Sequence, residues 1–258
     1  MAPEEPVIEV RELTKRFNGV AAVDSLSFHA SRGEIFGLLG ANGAGKTTTI
    51  QLLLGLTTPT SGEARVLGMD VRRERRRILA RVNFSSAYIA LPSNLTVRQN
   101  LTVFARLYGL GPADAKARIA RLLELFEVPG LQERKTGALS SGQQTRINLC
   151  KAFLNDPDVL FLDEPTASLD PDIADKVRTA LLRIQRERGV TMIYTSHNMR
   201  EVEVMCNRVL FLARGRAVTE GTPAEVMARA NSSSLEDVFI AIARDGELRE
   251  APRPGAEG

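Results

Sequence analysis

Cysteine is scarce in this 258-residue chain: Cys150 and Cys206 are the only two, far apart and without metal-ligand spacing. A thiolate metal site is thereby excluded, a reduced cytosolic setting is expected, and both thiols read as small buried hydrophobes. Charge of one sign is not in excess either. Lys and Arg total 34 against 31 for Asp and Glu, and a net charge of +3 gives no footprint for nucleic acid. No uncharged apolar run reaches 18 residues, so the chain is not expected to span a membrane, and any membrane role must come through a partner. The opening Met1-Ala2-Pro3-Glu4-Glu5-Pro6 lacks the basic patch and apolar core of a signal peptide. Internal repeats are missing too. What the chain does have is 43% hydrophobic residues, enough for the core of one large domain or of a domain with a lobe.

The most informative stretch is Gly40-Ala41-Asn42-Gly43-Ala44-Gly45-Lys46-Thr47-Thr48. An apolar run, Ile35 to Leu39, precedes it and Thr49 to Leu54 follows, so it reads as strand, glycine-rich turn and helix start, the context of a P-loop. Its backbone N–H groups at a helix N-terminus would face phosphate oxygens. Lys46 would reach the β- and γ-phosphates, and the Thr47 hydroxyl would sit on Mg²⁺. A nucleoside triphosphate and Mg²⁺ are the expected ligands.

Around it, Val7 to Leu13 and Leu26 to Ala30 alternate as half-exposed strands, with His29 expected half-buried in the second. Phe17, in the stretch between them, is placed to stack on a nucleotide base. Glu63 to Leu67 and Val82 to Phe84 read as further strands, and Arg72 to Arg77 as a solvated helix face. From Thr96 to Val128 the period becomes helical, through Leu95, Val97, Leu101, Phe104 and Leu107, then Ile119, Leu122, Leu123 and Phe126. With the helix Ser141 to Leu154 this makes an α-helical lobe, about residues 95–155, inserted in an α/β core. Asp158 to Leu162 is an apolar strand buried on both faces, ending in Asp163 and Glu164 at the edge where open α/β sheets bind ligands. Asp163 suits a metal; Glu164 suits a general base or a water-positioning group. The strand Thr191 to Thr195 ends at the same edge, in Ser196-His197, and His197 is expected to contact the γ-phosphate. Helices over 172–187, 199–206 and 223–230, strands over 208–212 and 217–220, and a short helix over 231–243 complete the reading; residues 244–258 read as a disordered tail.

A P-loop alone leaves several nucleotide-using classes open. Leu139-Ser140-Ser141-Gly142-Gln143-Gln144 narrows them, because it resembles the LSGGQ signature of ATP-binding-cassette (ABC) ATPases. Asp163-Glu164-Pro165-Thr166-Ala167-Ser168-Leu169-Asp170 resembles that family's Walker B and D-loop block, and Thr195-Ser196-His197 its switch histidine. The Asn-Lys-x-Asp element by which GTPases read guanine is missing. The resemblance covers residues 5–230 and implies a P-loop NTPase core sheet with an N-terminal antiparallel β subdomain and the inserted helical lobe.

It further implies a Mg²⁺-dependent ATPase acting as an ATP-dependent head-to-tail dimer, with itself or a related cassette. Ser140, Ser141, Gly142, Gln143 and Asp170 of one subunit would then close on the ATP of the other. Separate transmembrane permease subunits are the implied partners, with the chain peripheral on the cytoplasmic face of the cell membrane. Leu235-Glu236-Asp237-Val238-Phe239 is similar to the ending of cassettes that export drugs, polysaccharides or lipids. The competing class is a soluble ABC-type ATPase acting on DNA or ribosomes. Such proteins carry two cassettes or a long coiled-coil insertion, for which the segment between P-loop and signature is too short. Two positions depart from the family: Ser141 stands where Gly is commoner, and Ala87 where the Q-loop glutamine is expected, Gln99 lying too far along to replace it.

Overall fold

The computed structural model describes residues 6–86 and 90–248. They form two compact units, one running to Ile78 and resuming at Tyr194, the other spanning Leu79–Ile193.

The first unit opens with β1 (Ile8–Phe17) and β2 (Val20–Ala30), joined at Asn18-Gly19. Both turn residues have positive φ, 48° and 85°, as a two-residue hairpin turn matching strand twist requires. β3 (Ile35–Leu39), α1 (Lys46–Leu53), β4 (Ser61–Val66), β5 (Met69–Asp70) and α2 (Arg75–Leu79) follow. An antiparallel sheet has the order β2-β1-β4-β5. Its apolar side packs on β3, where the rings of Phe28 and Phe36 stack at 5.4 Å between centroids. Each ring, fully withdrawn from water, contributes about 2–3 kcal/mol.

The second unit holds β6 (Val82–Ser86), α3 (Val97–Leu107), α4 (Pro112–Leu125), α5 (Ser141–Ala152), β7 (Val159–Asp163), α6 (Pro171–Arg188) and the start of β8 (Thr191–Thr195). β6 and β7 are parallel, in a register from Val82 opposite Val159 to Ser86 opposite Asp163. The helices bury Leu101, Ile119, Leu122, Leu123, Ile147 and Leu149, with Phe126 stacked on Phe153 at 5.9 Å. Thr96 and Gln99 cap α3 reciprocally, the Thr96 N–H donating to Gln99 Oε1 at 2.8 Å, so Gln99 is occupied in holding a helix end.

The chain then returns to the first unit with α7 (Met199–Met205), β9 (Arg208–Ala213), β10 (Arg216–Gly221), α8 (Pro223–Arg229) and α9 (Leu235–Asp245). β9 is parallel to β3 and antiparallel to β10. Cys150 and Cys206 are free and buried, and burial pushes both thiols well above their ordinary range.

Three expectations need correction. His29 is exposed, because the alternation that buries Phe28 and Ala30 turns it outward. Within Arg72–Arg77 all five arginines are exposed, but Arg72 and Arg73 sit in a turn whose N–H groups donate to Asp70 Oδ1, and the helix starts only at Arg75. α9 also runs to Asp245, past the expected end at 243. Ala87 and the tail from residue 249 lie outside the described residues.

Candidate functional site

Two of the P-loop glycines are obligatory. Gly40 leaves β3 at φ 145°, where a Cβ would stand 2.4 Å from the carbonyl oxygen of Leu212 in β9. Gly45 takes φ 110°, where a Cβ would meet the Ala22 oxygen at 2.6 Å. The loop between them closes on itself through the Ala44 N–H to Ala41 O at 3.1 Å, and the β9–β10 turn supports it through the Gly215 N–H to Ala44 O at 3.0 Å. Gly45 is also the N-cap of α1, so no side chain caps that helix. Lys46 is buried and donates to the carbonyls of Gly40, at 2.5 Å, and Ala41, at 3.2 Å. Uncapped N–H groups and an ammonium within one loop favour an anion, and the crowded glycines show a backbone folded too closely for side chains.

Asn42, Gly43 and Thr47 are exposed and Ala41 and Thr48 half-buried, so the loop presents a solvent-facing side. Phe17, 47% exposed, ends β1 opposite Val20, with the Lys15 ammonium 4.9 Å from its ring centroid. The hairpin that carries it continues along β2 to Ala22, whose oxygen lies against Gly45. His197 follows β8 and is exposed, with its ring edge-on to Phe239 of α9 at 6.4 Å. One turn further on, Ile242 and Ala243 line with Ala41–Ala44 a cleft of about 160 Å³. Phe17, Gly40–Thr48 and His197 thus belong to one unit.

The remaining candidates belong to the other. Asp163 ends β7 half-buried, and Glu164 follows at φ 52°, a left-handed conformation costly for a residue with a Cβ and concentrated at functional sites. Its carbonyl accepts the Ala167 N–H at 3.2 Å, starting the turn that leads to Asp170. Ser140 is the N-cap of α5: its Oγ accepts the Gln143 N–H at 3.3 Å while Gln143 Oε1 accepts the Ser140 N–H at 3.1 Å. Thr145 Oγ1 and Ser168 Oγ are 2.7 Å apart, and Gly142 lies so close to Leu169 that a Cβ would approach it to 3.3 Å. The signature residues Ser140, Ser141, Gly142 and Gln143 are thereby held against the 164–170 segment. Asp170 caps α6, accepting the Ile173 N–H at 3.1 Å. A further tie joins α5 to β6, since Lys151 Nζ donates to the Phe84 carbonyl at 3.3 Å; burial lowers the pKa of that ammonium.

Compared with known proteins, residues 23–167 match the family model described as ABC transporter. The Nod factor export ATP-binding protein I of Paraburkholderia xenovorans is 39% identical over 235 residues, 91% of this chain and 77% of that protein. The chain belongs to the ABC transporter family. Another relative of this cassette, the probable multidrug ABC transporter ATP-binding protein YbhF of Escherichia coli, is 38% identical over 248 residues, 94% of this chain. The chain spans only 43% of that protein's length. Among solved structures, cbiO1 of Clostridium perfringens, part of an ABC transporter complex, superposes with a TM-score of 0.79 at 27% identity, covering 94% of this chain and 97% of that one. The fold is therefore the α/β P-loop NTPase fold with an N-terminal β subdomain and a helical lobe, and the chain is an ABC ATP-binding subunit.

Sequence reasoning on this cassette missed the second roles of Ser140 and Asp170 as helix caps, although Ser-x-x-Gln and Asp-Pro at helix starts are both readable signals. It also missed Phe239 against His197 and Gly215 under the P-loop. Both contacts join elements distant in sequence, and periodicity carries no trace of them.

Proposed function

We propose that this ABC subunit binds and hydrolyses ATP to drive an exporter whose transmembrane subunits are separate chains. The observation that carries the reading is the P-loop: a helix left uncapped at Gly45, with a buried ammonium beside it, is built for an anion of high charge. The names of the relatives, Nod factor export and multidrug transport, support export. No helix among the described residues is long and apolar enough to cross a membrane, so the pathway would come from partners at whose cytoplasmic face the cassette works.

In this reading Lys46 and the N–H groups of Lys46, Thr47 and Thr48 hold the β- and γ-phosphates, and Phe17 stacks on the base. The Thr47 hydroxyl and the Asp163 carboxylate are hard oxygen donors suited to Mg²⁺, which when bound neutralises phosphate charge. Glu164 takes the proton of the attacking water, and His197 donates to the γ-phosphate as charge builds on it. A second copy contributes its signature turn, Ser140 to Gln143, and its Asp170, so that ATP joins the two and hydrolysis releases them. Purification of the tagged chain from detergent-solubilised membranes tests the partnership. A co-purifying multispanning protein that stimulates Mg²⁺-dependent phosphate release is expected; recovery only with ribosomes or DNA would overturn it.

A further inference from the structure

The loop that carries His197 is closed into a ring by a buried carboxylate. Glu201 is 4% exposed and occupies the third position of α7. At that position in α3, α5 and α8 a Gln or Glu side chain reaches back to the N-cap N–H. In α7 it does not. The N–H of the N-cap residue, Asn198, donates instead to Ser196 Oγ at 3.1 Å. The Glu201 carboxylate turns inward and accepts the Tyr194 hydroxyl at 2.7 Å and the Ser196 hydroxyl at 3.0 Å. Asn198 Oδ1 accepts the Glu201 N–H at 3.3 Å and completes the ring. Both neighbours of His197 are thus tied to one residue.

Stability alone gives no reason for this choice. Withdrawing a carboxylate from water is costly, an apolar side chain packs without that cost, and Asn198 already caps the helix. We infer that Glu201 is a positioning residue, fixing the backbone on both sides of His197 and with it the aim of the imidazole during ATP hydrolysis. Ser196 is the link through which it acts.

The inference rests on the assignment of His197 to the γ-phosphate, and a double-mutant cycle separates the two. Turnover, KM and nucleotide affinity are measured on the purified full chain for Glu201→Gln and Ser196→Ala, each alone and combined with His197→Ala. Glu201→Gln keeps the volume but loses the charge, and Ser196→Ala cuts the link with Glu201 left in place. Each single variant is expected to lower kcat about 10-fold with KM and affinity unchanged, the effect of a misaimed group. In the His197→Ala background neither is expected to lower it further. The same 10-fold loss recurring there, or a raised KM at wild-type kcat, would overturn the inference while leaving His197 its role. Wild-type kcat in both single variants would also overturn it. Wild-type kcat in His197→Ala alone would overturn the assignment of His197 and the inference with it.

Discussion

The N-termini of α1 and α5 are finished in opposite ways. α1 starts at Gly45, with no side chain to cap it and a buried lysine beside it. α5 starts at Ser140, whose reciprocal bonds with Gln143 satisfy two of the local N–H groups and leave those of Ser141 and Gly142 for a ligand. The first end, without a side-chain cap and beside an ammonium, suits an anion. The second is a finished helix end, stable by itself, with a smaller residual demand. In the proposed cycle tight binding would therefore belong to the P-loop, and the signature turn would offer a weaker surface suited to engaging and releasing.

The largest expected effect sharpens this division. Glu164→Gln should lower turnover about 1000-fold, within the range for loss of a general base, while ATP affinity stays at the wild-type value. With ATP and Mg²⁺ the variant should run as a closed dimer in size-exclusion chromatography, since hydrolysis is the proposed release step. Lys46→Ala should cost at least ~100-fold in turnover and, unlike Glu164→Gln, weaken ATP binding as well. Equal affinities in the two variants would break the comparison, because the P-loop would then not be the seat of binding.

Much of this was legible in the sequence. The P-loop follows from eight residues, Gly40 to Thr47, whose spacing imposes the backbone path, and β7 from an apolar run that only burial on both faces explains. The helices of the second unit followed from their period; that Leu107 at the end of α3 is exposed did not, because a stripe shows phase and not where the neighbouring element stops. The inward turn of Glu201 was illegible for a different reason. It depends on which acceptor the Asn198 N–H chooses, a competition between two oxygens that sequence leaves undecided.

A smaller effect tests α5 directly. Ser140→Ala removes a helix cap and should cost about 1 kcal/mol of stability, a fall in Tm of roughly 2–4 °C for a chain near this size. ATP affinity of the monomer should not change. Complete loss of ATP-dependent dimerisation at wild-type Tm would instead give the Ser140 hydroxyl a direct hold on nucleotide, against its role as a cap.

The smallest effect concerns position 87. Ser86, at the end of β6, stands opposite Asp163, which carries the proposed metal carboxylate. An alanine at position 87 supplies no ligand. Mg²⁺ readily keeps waters in its octahedral shell, so a water in place of a glutamine oxygen leaves hydrolysis intact and weakens retention of the ion. Ser85 and Ser86, both buried at the end of β6, carry hydroxyls of the kind that hold such a water. The wild type is thus expected to be an active ATPase with a raised Mg²⁺ requirement. Ala87→Gln should lower the Mg²⁺ concentration for half-maximal activity a few-fold, roughly 1 kcal/mol or less, the scale of one exchanged hydrogen-bonding group. Mg²⁺ titrations of phosphate release in both proteins measure it. Superimposable curves would show that residue 87 does not face the metal, and the strand register alone would then be no guide to the ligand set.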